Sequence, residues 1–261
     1  MHGAGNDFIL VDDRSSSLPA DKDWIRKICS PHTGIGAEGL ILLQPAKEAA
    51  FFMRFFNPDG GEADMCGNGI RCAARLAHDL KIAGRQMKVK TRSGVLKAVI
   101  AKNGVRVSML FHSEPRLNFV VRAAGQKLLC NLINTGVPHA VIEAGDLEKV
   151  DLARLGPILR RHKEFGKKGA NVDFLSVTDD HELKVRTYER GVEAETLACG
   201  TGITACAIVA ALNGRVRPPV KVKCRHGDIL EVDFKIGKRK VENITLLGPA
   251  EYVFEGTINY P

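Results

Sequence analysis

The sequence predicts a mixed α/β (α+β) fold made of two pseudo-symmetric copies of one unit, and three observations carry that expectation. The first is a repeated turn: MCGNGIRCAARL (65–76) and ACGTGITACAIV (198–209) each run a Cys-Gly-x-Gly turn into an Ala-rich, helix-forming stretch, about half of the 261-residue chain apart. The second is that the repeat extends upstream. At the offset that carries Cys66 onto Cys199, His139 falls on Asn6 and Asn171 on Glu38. NTGVPHAVI (134–142) then lies on the N-terminal MHGAGNDFIL, and GANVDFLSV on GAEGLILL. RFFNPDGGEAD (54–64) likewise falls beside RTYERGVEAET (186–196). The third is that short strand-like runs and helix-like stretches recur in the same order in both halves.

Taken in order, each copy opens on a glycine turn leading into an apolar run, as HGAGNDFIL does in the first half. Amphipathic helices are expected at 21–29 and 151–164. GLILL and VDFLSV are continuous apolar runs after a turn, the mark of a buried strand. The segments 54–64 and 186–196 each read as an alternating strand that ends in a polar, glycine-rich turn just before the cysteine. The helix after each cysteine is apolar over much of its surface (Ile70, Ala73, Ala74, Leu76; Ile203, Ala205, Ala207, Ile208, Ala211) and is expected to pack inside a sheet. Further strands are expected at 87–91, 96–100 and 105–109, with Asn103-Gly104 as a hairpin signal, and at 220–223, 229–234 and 241–247. His112, Ser113, Glu114 and Pro115 interrupt the pattern and mark a linker near 110–118.

Composition narrows the function classes. Apolar content of 44% and charged content of 26% suit a globular protein and argue against disorder. No apolar run approaches the roughly 18 residues that cross a bilayer, so no membrane association is expected. MHGAGNDF lacks a basic segment followed by an apolar one, and the cytoplasm is the expected location. The net charge of +8 is scattered, with small clusters at 160–168 and 235–240 and no interleaved aromatic residues, so nucleic acid is not an expected partner. Seven cysteines, an odd number, do not suggest a disulfide framework. No C-x-x-C pair, H-E-x-x-H or dinucleotide fingerprint is present, so neither a metal nor another cofactor is expected.

The paired turns point to proton chemistry. A cysteine at the first turn of a helix lies among backbone N–H groups and the positive end of the dipole, which favour a thiolate. Flanking glycines let N–H groups approach an anion. Two such thiols on either side of one carbon are what stereochemical inversion needs. One removes the α-proton as thiolate while the other supplies a proton to the opposite face. The helix N–H groups would stabilise charge developing on the neighbouring carboxylate. Cys72 and Cys206 follow about two helical turns later and are expected to be buried packing.

HGAGNDF (2–8), HTGIGAEG (32–39), FFNPDGGEADMCGNGIRC (55–72), NTGVPHAV (134–141), GANVDF (169–174) and YERGVEAETLACGTG (188–202) resemble the diaminopimelate epimerase family over essentially the whole chain. The resemblance implies two similar α/β domains, each a curled mixed or antiparallel sheet around a central helix. They would span 1–113 and 114–247, with 248–261 returning to the first as a strand. It implies interconversion of LL- and meso-diaminopimelate, a small-molecule amino-acid substrate, without a cofactor, in lysine and peptidoglycan precursor synthesis; a homodimer is the assembly it allows. Carried over by position, Cys66 and Cys199 are the acid/base pair. Gly67, Asn68, Gly200 and Thr201 offer backbone donors to the reacting carboxylate. Asn6, Asn57, Asn171 and Arg190 hold the distal amino-acid end, where Arg190 suits a carboxylate. Glu189 and His139 orient the reacting end. The sequence departs from some members at Val137 and Gly39, where they carry Asn and Gln. Two other readings stand beside this one: a racemase of another amino acid such as histidine on the same fold, and a non-catalytic ligand-binding relative.

Overall fold

The computed structural model describes every residue except Leu110, His112, Ser113, His226, Lys238, Arg239, Asn259 and Pro261. His112 and Ser113 of the expected linker, and part of the basic cluster at 235–240, therefore lie outside the described residues. The chain forms two compact units, Met1–Val107 with Gly248–Pro261, and Ser108–Leu247.

In the first unit the strands are β1 (His2–Gly3), β2 (Asn6–Asp7), β3 (Ile9–Asp12), β4 (Leu40–Gln44), β5 (Phe51–Phe56), β6 (Glu62–Ala63), β7 (Gln86–Thr91), β8 (Gly94–Ala101) and β9 (Gly104–Ser108). The helices are α1 (Lys22–Cys29) and α2 (Gly67–Asp79). The sheet runs β9-β8-β7-β5-β4-β3, with β3 parallel to β4, β5 parallel to β7, and antiparallel pairs elsewhere. β4 explains its own composition. Leu40 and Leu42 face α1 in a cluster with Trp24, Ile25 and Ile28, whereas Ile41 lies against α2, its Cδ1 2.7 Å from where a Cβ on Gly69 would stand. A strand covered on both faces needs apolar residues at every position, hence LILL. α1 starts at Asp21, whose carboxylate accepts from the Trp24 N–H.

The second unit has β10 (Arg116–Ala123), β11 (Gln126–Asn134), β12 (Pro138–Glu143), β13 (Asn171–Asp179), β14 (Glu182–Glu189), β15 (Ala194–Thr196), β16 (Val220–Lys223), β17 (Ile229–Ile236) and β18 (Val241–Gly248), with α3 (Leu152–Arg160) and α4 (Gly200–Leu212). Its sheet runs β10-β11-β12-β13-β14-β16-β17-β18. β12 is parallel to β13 and β14 to β16. From β12 onward the connectivity repeats that of β3 to β9, helix for helix. α3 covers one face through Leu152, Leu155 and Leu159 against Val172 and Phe174, and α4 packs on the other against β11 to β14. The repetition reaches side chains: Arg54 forks onto Glu62 across β5–β6, and Arg186 onto Glu195 across β14–β15.

The expected hairpin forms, with its turn one residue earlier, and two other local expectations change. The hairpin between β8 and β9 turns on Lys102 and Asn103, and Gly104, at φ +130°, is already the first residue of β9. A Cβ there would collide with the Gly248 carbonyl, so the glycine answers a close approach of backbone. The helix expected at 151–164 ends at Arg160, and a short 3₁₀ turn follows at Lys163–Phe165. The segment after Gly248 returns as extended chain with one bridge, His2 to Glu251, rather than as a strand. Its possible template, β1, is two residues long, because Ala4 and Gly5 turn the chain back with positive φ, and Pro249 has no N–H to give.

Cys72 and Cys206 are fully buried in α2 and α4. Burial pushes the Cys29 thiol up to about 11 and those of Cys72 and Cys130 to about 12. Unfolded thiols ionise near 9 while these folded ones keep their protons, so their contribution is complete below pH 9 and is lost as pH rises from 9 toward 12. Each thiol in that window costs about 1.4 kcal/mol per pH unit. Urea unfolding of reduced protein between pH 8.5 and 10.5 is expected to show falling stability. Cys130→Ala is expected to lower stability at pH 8 and to remove one thiol's worth of slope; an unchanged slope would contradict the assignment.

Candidate active site

Each cysteine is the N-cap of the helix that follows it. Cys66 (φ −135°, ψ 123°) and Cys199 (φ −110°, ψ 106°) are extended, and their carbonyls accept the first helical bonds, from Ile70 and Ile203 at 2.9 Å each. Gly67-Asn68-Gly69 and Gly200-Thr201-Gly202 are thus first-turn residues, whose N–H groups have no acceptor within their own helix. This is a ready environment for a carboxylate.

In the first unit Asn6 is the hub. Its Oδ1 accepts from the Cys66 thiol at 3.7 Å and from Asn68 Nδ2 at 3.1 Å, while its Nδ2 donates to the Glu38 carboxylate. Behind them Arg71, with no exposed surface, donates to Asn68 Oδ1 (2.9 Å), the Gly67 carbonyl (3.3 Å) and the Pro249 carbonyl (3.2 Å). The guanidinium fixes which way the Asn68 amide points, and so which atom of Asn6 faces the thiol. Asn57 lies apart from this network, exposed in the turn that its backbone closes with Gly60 and Gly61.

In the second unit His139, Asn171, Cys199 and Thr201 meet. His139 is fully buried, with Nδ1 2.7 Å from Asp173 Oδ2 and Nε2 2.9 Å from Thr201 Oγ1. Thr187 donates its hydroxyl to Asp173 Oδ1 at 2.7 Å. Asn171 accepts the Arg190 N–H at 2.8 Å, which turns its amide nitrogen toward His139 Nε2 (3.4 Å) and Cys199 Sγ (4.0 Å). The Arg190 guanidinium reaches the Gly169 carbonyl at 3.4 Å. Glu189 is half-buried, and desolvation raises its carboxyl above the usual range.

The helix terminus by itself predicts a lowered thiol at Cys199, and the structure reverses that. Burial first, then the Glu189 and Asp173 carboxylates, push it well above its ordinary value, and the Thr201 hydroxyl and Gly202 N–H only partly offset them. Desolvation of a thiolate in an enclosed site outweighs a few aligned dipoles.

Sequence reading missed Glu38, Arg71, Asp173 and Thr187. A signal existed for two of them: Arg71 and Asp173 are single charges inside otherwise apolar runs, GIRCAA and NVDFL, where a charge persists only if it is paired. At Gly39, a Cβ would stand 2.5 Å from the Phe55 ring and 2.6 Å from the Phe56 carbonyl, so a larger residue cannot be seated without moving both the Phe55 ring and the Phe56 backbone. At Gly202, a Cβ would collide with Asp173 Oδ1 and lie 3.2 Å from His139 Cε1. Gly202→Ala would gain about 1 kcal/mol of helix propensity but is expected to lose about 1–3 kcal/mol to overpacking. A lower thermal midpoint is therefore expected, with activity falling further as the His139–Asp173 pair shifts; a stabilised, fully active variant would refute the contact.

Among the described residues no group of three or more His, Cys, Asp or Glu side chains is arranged to hold a metal ion, and no helix is long and apolar enough to cross a membrane.

Comparison with known proteins places these residues in context. The family model described as diaminopimelate epimerase matches residues 1–111 and 131–253. The diaminopimelate epimerase of Aquifex aeolicus is 43% identical over 99% of this chain and 96% of its own length. That of Chlorobaculum tepidum is 39% identical over 99% of both. Among solved structures, a PhzF-family phenazine biosynthesis protein of Bacillus anthracis superposes with a TM-score of 0.71 at 17% identity, covering 98% of each chain. A hydroxyproline epimerase of Agrobacterium vitis does so with a TM-score of 0.68 at 17% identity, covering 95% of this chain and 86% of its own. These two likenesses establish a shared fold.

Proposed function

The chain belongs to the diaminopimelate epimerase family, and we propose that it interconverts LL- and meso-diaminopimelate by proton transfer at one α-carbon, in lysine and peptidoglycan precursor synthesis. The observation that carries this reading is the pair of N-cap cysteines on equivalent helices, each at a first turn that can receive a carboxylate.

Cys66 and Cys199 are the acid/base pair: one as thiolate removes the α-proton, and the other as thiol returns one to the opposite face. Backbone N–H groups of Gly67, Asn68, Gly200 and Thr201 hold the reacting carboxylate and stabilise the charge that gathers on it as the C–H bond breaks. Asn6, Asn57, Asn171 and Arg190 bind the distal end, and Glu189 and His139 orient the reacting ammonium. Arg190 supports a dicarboxylate over a monocarboxylate substrate, because a distal carboxylate calls for a planar cation. The scheme uses no cofactor. A cytoplasmic location, a homodimer and no part for nucleic acid belong to the same reading; sedimentation equilibrium tests the assembly.

The decisive experiment incubates reduced protein with LL-diaminopimelate in deuterated water. Meso product carrying one α-deuterium is expected. Exchange with another amino acid but not with diaminopimelate would keep the chemistry and replace the substrate. Exchange with none would leave a ligand-binding relative.

A further inference from the structure

Among the described residues, no carboxylate or imidazole is hydrogen-bonded directly to the Cys199 thiol. Its Sγ lies 3.4 Å from Thr201 Oγ1, which lies 2.9 Å from His139 Nε2, and His139 Nδ1 lies 2.7 Å from Asp173 Oδ2. We propose that Thr201 is a hydroxyl bridge through which Cys199 exchanges its proton with His139, and that Asp173 is the positioning residue that readies the imidazole to receive it. The inference rests on the reading of Cys199 as an acid/base group and adds how that group is set.

The proton positions follow from donors of known identity. The Arg190 backbone N–H can only donate, so the Asn171 atom it reaches is the oxygen, and the Asn171 amide nitrogen faces Nε2. Nε2 is therefore an acceptor at rest, and the imidazole proton sits on Nδ1, toward Asp173. Thr201 can then donate to Nε2 while accepting from the Cys199 thiol. In the exchange the S–H bond breaks as the thiol proton passes to Thr201 Oγ1, and the Thr201 O–H bond breaks as its own proton passes to Nε2. The products are a thiolate that accepts from Thr201 and an imidazolium that donates to Thr201 and Asp173. No proton leaves the network, and reversal restores the thiol.

The surroundings match this use. Asp173 comes from β13, Glu189 from β14, and Cys199 and Cys206 from the start and middle of α4, while Cys130 on β11 also feels Asp173. These are acids, and within this group only His139 can take up a proton to become a cation. A thiol that burial holds neutral gains most from a linked acceptor. Thr201 is bound at its carbonyl by the Thr135 hydroxyl at 2.9 Å, which keeps the bridge in place.

The test uses alkylation of Cys199 by iodoacetamide, followed site by site by mass spectrometry from pH 6 to 9. This readout does not depend on diaminopimelate turnover, so failure of the proposed function and failure of the bridge are separable. Thr201→Val is expected to slow Cys199 alkylation at neutral pH by at least about tenfold and to lower kcat by about a hundredfold, with KM changed less than about twofold. Thr201→Ser, which keeps the hydroxyl, is expected to restore both. In Asp173→Asn, the Thr187 hydroxyl selects the amide oxygen, so the amide nitrogen faces Nδ1 and drives the imidazole proton to Nε2. The pH profile of Cys199 alkylation is then expected to move to alkaline pH, while alkylation of Cys66 is unchanged. Wild-type alkylation of Cys199 with an unmoved profile in folded Thr201→Val would overturn the bridge. If that variant does not fold, an unmoved profile in Asp173→Asn would do the same.

Discussion

Cys199→Ala and Cys66→Ala are each expected to lose epimerisation by at least about a thousandfold. The two losses differ in kind. Inversion needs a proton carrier on each face of the α-carbon, so removing one thiol leaves a face that can neither lose nor gain a proton. The remaining thiolate still takes a proton from its own face and returns it there. Each single variant is therefore expected to exchange α-hydrogen for deuterium with retention, on one stereoisomer only, and the two variants on opposite stereoisomers. Deuterium incorporation by mass spectrometry, with chiral separation of the products, checks this. Inversion at the wild-type rate in Cys199→Ala would remove Cys199 from the reaction. Exchange of both stereoisomers by one variant would mean that a single base reaches both faces. The variants should melt near the wild-type temperature, because an alanine fills most of a cysteine's space.

Arg71→Ala is expected to destabilise the protein by about 3–5 kcal/mol. The guanidinium is wholly buried at the start of α2, and its acceptors include Gly67 and Asn68 on the helix and Pro249 in the returning chain. Truncation strands those acceptors and opens a cavity of side-chain size. At roughly 2–4 °C per kcal/mol the thermal midpoint falls by on the order of 10 °C. Arg71→Lys keeps the charge but not the planar fork, and is expected to recover only part of the loss. Activity should fall in both, because the Asn68 amide is no longer held with its nitrogen toward Asn6. A midpoint for Arg71→Ala within a degree or two of wild type would show that the network is dispensable to stability.

Much of this protein is legible in its sequence because the relevant signals are local or repeated. The Cys-Gly-x-Gly turns, the apolar helices after them, and the continuous runs LILL and VDFL depend on periodicities of two to four residues. A duplicated unit then states each signal twice, and the match to a known family rests on the same strings. Where local patterns conflicted with their surroundings, as in the segment after Gly248 or the end of α3, the neighbours decided.

The tertiary structure alone decided the electrostatics and the proton route. His139 and Asp173 are 34 residues apart, and His139 and Thr201 are 62 apart, yet each pair meets within 3 Å. No periodicity encodes such a meeting, because it follows from the order of strands in the sheet and from where α4 begins. The same holds for the thiol of Cys199. A helix start predicts a stabilised thiolate from sequence alone, but desolvation grows with everything packed around the sulfur, and only the folded chain brings Glu189 and Asp173 close enough to raise it.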